Sequence, residues 1–456
     1  SAAGPGRWRA WCGSTRPAWV ARHSRRAGRA RAPPPPPPRD GRVRRGGHGG
    51  VGLPPGAGPP PPPPPAPPPV SLRQSSFFLR FLTLGALAHV YVGARLVPDA
   101  GLSDPGSAGA ILLLILSCIL IPLGMLARSS VHPPWGDRIA WVGLIAMGLF
   151  SSLFVLTVLR DVLLLVAWLV DLATGLAPPR LALRRATALA VAGLALAATL
   201  VGFYNARRRA RVVTVDVPVR GLPADLDGFT IAQISDIHVG PTIKRRYVQA
   251  IVDAVNELAP DMIAITGDVV DGSVEQLAAQ ASPLGTLRAP FGVYLVTGNH
   301  EYYSGAAPWV AEFRRMGLRV LMNEHAVVHP AGLPLVVAGV TDYSAGAFDP
   351  RQRSNPAAAL AGAPPDAVAR ILLAHQPRSA AAAAPLGYTL QLSGHTHGGQ
   401  FFPWGFFVRF QQPYTAGLHR LGDMWIYISR GTGYWGPPKR LGAPSEITRL
   451  QLRPAR

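Results

Sequence analysis

"FTIAQISDIHVG" (residues 229–240) begins as an apolar run and ends in two side chains that bind cations, Asp236 and His238. Thr230, Ile231 and Ile234 are β-branched, the type that fits a pleated sheet. Four later runs end the same way. "PDMIAITGDVVDG" (260–272) passes into Asp268 and Asp271, "FGVYLVTGNHE" (291–301) into Asn299 and His300, "RILLAH" (370–375) into His375, and "YTLQLSGHTHGGQ" (388–400) into His395 and His397. Between the first two, "KRRYVQAIVDAVNELAPD" (244–261) carries Val248, Ile251, Val252, Val255 and Leu258 at the spacing of one helix face. Strand, ligand-type residue, helix, strand is an α/β scheme, and the carboxyl ends of parallel strands meet at one sheet edge.

Taken singly, Asp268 reads as a turn residue, Asn299 as a helix cap and His375 as a core histidine. Five strand ends carrying such residues together call for a shared cause. Imidazole with carboxylate suits Mn, Fe, Co, Ni or Zn rather than Ca. More than four ligands exceeds one tetrahedral zinc, so two cations sharing a bridge is the economical count. Cysteine takes no part, because Cys12 and Cys118 are the only two and both precede this region.

The net charge of +21 suggests a nucleic-acid binder until it is divided along the chain. Residues 1–75 carry +12, residues 76–210 carry +6 and residues 211–456 only +3. A near-neutral C-terminal region gives no electrostatic argument for specific nucleic-acid binding. Residues 1–75 are mostly Arg, Pro, Ala and Gly, with too few apolar side chains to offset chain entropy, so a disordered tail without a role is expected there. A basic tail touching anionic lipid is the weaker reading.

Residues 76–210 change to long apolar stretches, and about 20 such residues cross a hydrocarbon layer as a helix. The expected spans are Phe77–Val97, Ala108–Leu126, Ile139–Leu159 and Arg185–Tyr204, with Asp161–Val170 as an extension or interfacial helix and Arg160 and Asp161 at the water interface. Positive residues stay cytoplasmic. The acidic loop Pro98–Ser107 then faces outward, and "RRRAR" (207–211) and the C-terminal domain face the cytoplasm. "PRLALRR" (179–185) contradicts this, and a fifth span over 162–178 would reverse the domain's side.

The ordered blocks D-x-H, G-D-x-x-D, G-N-H-E, H and G-H-x-H over Ile231–His397 resemble the calcineurin-like metallophosphoesterase superfamily. The text around them is similar to its bacterial membrane-associated branch, which implies a multi-pass protein of a bacterial inner membrane. The resemblance covers residues 211–456 and implies a four-layer αββα sandwich with two divalent metals at the strand ends. Carried over, Asp236, His238 and His397 hold one metal, Asn299, His375 and His395 the other, Asp268 bridges both, and His300 donates the leaving group's proton. Asp271 then orients a histidine. Tyr302, Tyr303 and Trp404 either line the substrate mouth or simply pack, while Lys244, Arg245 and Arg246 read as a solvated helix start.

The activity implied is hydrolysis of phosphomonoester, phosphodiester or pyrophosphate bonds, since a cation pair can acidify a water and take up phosphate charge at once. Related protein phosphatases resemble G-D-x-x-D-R-G, whereas Gly272 and Ser273 follow Asp271 here, which argues against phosphoprotein. Membrane attachment favours a phospholipid or nucleotide-lipid substrate, by analogy with UDP-diacylglucosamine hydrolases. A nuclease or cyclic-nucleotide phosphodiesterase, and a non-catalytic receptor or transport component, are the alternatives.

Overall fold

The computed structural model describes residues 72–130, 134–175 and 180–455. The expected disordered tail, apart from its last four residues, lies outside them, as does Cys12. Four helices come first: α1 (Leu72–Leu96), α2 (Asp104–Ser130), α3 (Trp135–Thr174) and α4 (Arg180–Arg207). Among the described residues three are long and apolar enough to cross a membrane, namely α2 over Asp104–Ala127, α3 and α4. α1 covers the remaining expected span, Phe77–Val97, but the side chains of Phe77 and Phe78 lie outside the described set.

α3 runs unbroken for 40 residues. At 1.5 Å per residue that is about 60 Å, roughly twice a hydrocarbon core. Residues 162–174 therefore continue the helix of Ile139–Leu159 without a break. α2 and α3 approach closely because both are glycine at the crossing: a Cβ on Gly143 would lie 2.7 Å from the Gly124 Cα. Small residues permit such contact between apolar helices.

Arg160 and Asp161 do not stand at a water interface as isolated charges. Arg160 is 3% exposed and pairs with Asp99, while its other N–H groups reach Thr187 Oγ1 at 3.0 Å and the carbonyls of Arg95 and Arg184 at 3.1 Å each. Asp161 accepts from Arg95 at 2.8 Å and from Tyr91 at 2.7 Å. Arg184 also pairs with Asp99, at 2.7 Å. One positive charge of "PRLALRR" is thus neutralised by the acidic α1–α2 connection.

The α/β part holds two six-stranded sheets. The first contains β1 (Arg211–Val219), β2 (Thr230–Ile234), β3 (Met262–Ile265), β4 (Val293–Leu295), β5 (Arg319–Val320) and, between β1 and β2, the last strand, β12 (Glu446–Pro454). The second is ordered β10-β11-β9-β8-β7-β6, built from β6 (Glu324–Val328), β7 (Leu335–Gly339), β8 (Ala369–Leu373), β9 (Leu390–Ser393), β10 (Gly417–Leu421) and β11 (Met424–Ile428). β2, β3, β4 and β5 are parallel neighbours, as are β7, β8, β9 and β11.

Each sheet is apolar on both faces, which makes four layers necessary. Ile231, Ala264, Val337, Ile371, Leu390 and Leu450 fill the space between the sheets. The outer face of the first sheet is covered by α5 (Arg245–Glu257), α6 (Val274–Ala281), the six-residue turn of helix α7 (Asn299–Ser304) leading on, and α8 (Ala306–Arg315), through Val248, Ile251, Leu277, Trp309 and Phe313. Short alanine-rich turns at Pro356–Ala359 and Ala380–Ala383 cover the second sheet. This is the expected αββα sandwich, and every ligand-type residue follows the carboxyl end of β2, β3, β4, β8 or β9.

Candidate metal centre

The site is built on loops that leave the strands sharply. After β2, Asp236 and His238 both adopt positive φ, 53° and 56°, as do Asp268 after β3 (52°) and His395 and His397 after β9 (72° and 51°). Non-glycine residues seldom hold this conformation. Here it turns successive side chains inward toward one point. Glycines clear the space: a Cβ on Gly267 would lie 2.6 Å from the Gly298 backbone N, so the β3 and β4 loops touch.

Two groups of ligand atoms take up the last two histidines, and a third, His238, Asp268 and His300, lies across them. Asp236, His238 and His397 form one, with His397 Nε2 3.5 Å from Asp236 Oδ1 and 3.1 Å from His238 Nε2. Asp268, His375 and His395 form the other, with His375 Nε2 3.1 Å from Asp268 Oδ2 and 3.2 Å from His395 Nδ1. Asp268 Oδ2 also lies 3.9 Å from the Nε2 atoms of both His238 and His300. His395 and His397, two apart in the sequence, therefore aim at different groups, with Asp268 between. Asn299 is buried and its Oδ1 has no hydrogen-bond partner, as an oxygen kept for a cation would be.

The charge balance points the same way. Burial pushes the His395 imidazole down to about 3, reinforced by His375, and burial with Arg440 holds His397 well below its ordinary value. Both rings are thus held uncharged, the form in which an imidazole can ligate a metal. Burial also opposes charge on His375 and His300, but Asp268 outweighs it: His375 is raised well above the ordinary value, and His300, with Asp271 adding, to about 9. Buried carboxylates demand positive charge, and protons on these two rings supply it where cations otherwise would. The residues present fit divalent metal.

Asp271 accepts from two rings, His238 Nδ1 at 3.0 Å and His300 Nδ1 at 2.6 Å, and so fixes both. Tyr303 is exposed, with its ring 5.2 Å from that of His300, whereas Tyr302 turns inward and donates to Gln352. Trp404 does not reach the histidines and donates instead to Ser151 of α3. Lys244 pairs with Asp137 of α3 and Arg245 bonds the end of α6, while Arg245 and Arg246 stand exposed at the start of α5, as the expected solvated helix start has them.

Two residues escaped the sequence reading. Glu301, fully buried, accepts from the backbone N–H groups of Asp268, Val269, Val270 and Gly298 and binds the β3 and β4 loops together. Its signal was its place directly after Asn299 and His300. Arg440, also buried, bonds the His397 ring at Nδ1 (3.0 Å) and its carbonyl (2.9 Å). Nothing in "GPPKRLG" (436–442) marked it out.

Residues 229–399 match the family described as calcineurin-like phosphoesterase. A Danio rerio transmembrane protein with metallophosphoesterase domain is 39% identical over 262 residues, 56% of this chain and 60% of that protein. A Bos taurus protein of the same description is 38% identical over 316 residues, 66% of this chain and 70% of the relative. An uncharacterized metallophosphoesterase of Helicobacter pylori is 38% identical over 258 residues, covering 56% and 66%. Animal relatives at this level mean that the resemblance is wider than the bacterial branch, and the transmembrane descriptions fit the three apolar helices. With its strand-end ligand groups, its two-sheet sandwich and these relatives, the chain belongs to the calcineurin-like phosphoesterases.

Proposed function

We propose that the chain is a membrane-anchored phosphoesterase that uses two divalent metals, of the Mn, Fe, Co, Ni or Zn type, to hydrolyse a phosphate ester. Asp236, His238 and His397 are assigned to one metal, Asn299, His375 and His395 to the other, and Asp268 to both. The domain doing this is drawn at 211–456 and the anchor at 76–210. The observation that carries the reading is the split of His395 and His397 between two ligand groups, with Asp268 a member of the His395 group and its Oδ2 3.9 Å from His238 of the other. The metals would supply Lewis acidity toward phosphate oxygens and an acidified water.

The chain's own side chains do the rest. His300, among the more open of the site's histidines, faces the mouth beside Tyr303 and Trp435, with ring centroids at 5.2 and 5.8 Å. Held through Nδ1 by Asp271, it presents Nε2–H to a departing oxygen as general acid. Neutral His395 and His397 keep lone pairs for the cations, and Glu301 fixes the backbone that carries Asp268. A substrate resident in the membrane, a phospholipid or nucleotide-lipid, follows from the anchor; relatives in animals and bacteria leave the bacterial inner membrane as one setting among several.

The test is metal content of the full chain together with turnover of p-nitrophenyl phosphate and bis(p-nitrophenyl) phosphate. His300→Ala is expected to keep its metal and lose roughly 100-fold to 10,000-fold in rate, the usual worth of a positioned acid. A native chain that binds metal yet turns over neither reporter would sink the assignment.

A further inference from the structure

One residue after the ligand turn "SGHTHGGQ" the chain enters "FPWGFFVRF" (402–410), with five aromatic side chains and no acid. All five stand out to solvent: Phe402, Trp404, Phe406, Phe407 and Phe410 are between 41% and 78% exposed. Ring contacts join them in two sets, with centroids 6.0 Å apart for Phe402 and Phe406, and 5.7 Å for Trp404 and Phe407 and 6.3 Å for Phe407 and Phe410. Scattered exposed aromatics need no explanation, but a contiguous patch does.

The patch continues a surface already read as lipid-facing. Trp404 Nε1 donates to Ser151 Oγ at 3.1 Å, inside the apolar stretch of α3 whose Val142, Ile145 and Val158 are exposed. Arg409 lies with its guanidinium 5.5 Å from the Phe410 ring, so a cation accompanies the aromatics. Aromatic rings with a basic residue and no carboxylate suit the headgroup layer of an anionic bilayer. At its other edge the patch borders the site. Gln400 bonds the backbone N–H of Trp435 at 2.9 Å and its carbonyl at 2.8 Å, and the Trp435 ring lies 5.8 Å from His300.

We propose that residues 402–410 dip into the bilayer that holds α2–α4, placing the metal centre's mouth at the headgroup layer, and that the substrate is the phosphoester of an anionic phospholipid. This rests on the phosphoesterase reading above. Water adds to the lipid phosphorus and releases one proton to solvent, the ester P–O bond breaks, the proton on His300 passes to the departing oxygen, and His300 regains a proton from solvent. The acyl chains stay in the membrane beside Phe402 and Phe406.

The experiment uses the full chain in phosphatidylcholine vesicles carrying phosphatidic acid or phosphatidylglycerol, with the two nitrophenyl esters as soluble substrates. Brominated phosphatidylcholine is expected to quench a fluorescence component that disappears in Trp404→Phe. The triple variant Phe406→Ser, Phe407→Ser, Phe410→Ser is expected to turn over the soluble esters as the native chain does and to lose about tenfold or more on the lipid, since each buried Phe is worth about 1.5–3 kcal/mol and 1.4 kcal/mol is tenfold. Absence of Trp404 quenching overturns the docking, including the case in which the loop instead binds a second copy. Quenching with undiminished lipid turnover in the variant, or with no lipid turnover in the native chain that hydrolyses the soluble esters, overturns the substrate. If the variant loses both activities through misfolding, quenching in the native chain still decides. A native chain that hydrolyses nothing but is quenched removes the phosphoesterase reading and leaves the docking intact.

Discussion

His300 shows how one residue's setting decides its charge and, through it, a part of stability. Its ring is largely buried, which by itself disfavours charge, yet Asp268 and Asp271 raise it to about 9. In the unfolded chain a histidine titrates near 6.5. A group with a raised folded value stabilises the fold fully below its unfolded value, and that contribution is lost as pH rises through the folded one. Metal-free protein is therefore expected to lose stability between about pH 6.5 and 9, and His300→Gln to flatten that part of the profile. Urea midpoints of the metal-free native and variant chains measure this; equal slopes would remove the charged His300 from the account. With cations bound the slope should shrink in both, because the dications take over the charge that Asp268 demands. The same carboxylate thus serves as proton partner without metal and as the proposed bridge with it.

Between elements, the distance between the β3 and β4 loops is set by Glu301 at the start of α7. Four backbone N–H groups converge on one buried carboxylate, and among the residues donating them are Asp268 itself and Gly298, which precedes Asn299. Asp268 sits at positive φ, a strain of about 1–3 kcal/mol that persists only where neighbours over-determine it. Glu301→Ala leaves these donors without an acceptor, and buried orphans cost about 1–3 kcal/mol each, so a loss on the order of 3 kcal/mol or more is expected with weakened metal binding. Chemical denaturation and metal titration read the two effects; native-like values in both would dismiss the clamp. The residues that meet at the candidate centre were legible, since each follows a largely apolar run and the helix face of α5 points to parallel order. Glu301 was not, because a glutamate after a turn looks like a helix cap until the loop it grips is in view. Tyr302 and Tyr303 were equally opaque: both rings lie against Phe348, and only the Tyr302 bond to Gln352 and the Tyr303 contact with His300 show which faces the site.

At the scale of the molecule, the helices from Leu82 onward and the α/β part form one compact unit, which runs across the compositional border at residue 211. The sequence hid this contact because "GPPKRLG" reads as an exposed basic loop. Lys439 is instead buried, its Nζ donating to the Gly148 carbonyl at 2.9 Å and to the hydroxyls of Ser152 and Thr199 at 2.5 and 3.1 Å. Burial pulls its ammonium down to about 8. The next residue, Arg440, donates its backbone N–H to the Gly202 carbonyl of α4 at 2.8 Å and its guanidinium to His397 at 3.0 Å. Two consecutive residues therefore connect a membrane-type helix to a metal-facing ring. The fit at Gly202 is tight: a Cβ there would lie 2.6 Å from Lys439 Cγ. Gly202→Leu must displace Lys439 and with it Arg440, and overpacking of this kind costs about 1–3 kcal/mol. Passed on to the His397 ring, that corresponds to a loss of roughly tenfold in metal affinity, at 1.4 kcal/mol per factor of ten. Titration of the metal-free chain with Mn or Zn measures it, with Gly193→Leu as the control, because a Cβ at Gly193 meets nothing within 4 Å. Equal affinities in the two variants would show that the helices hold the domain in place without acting on its metals.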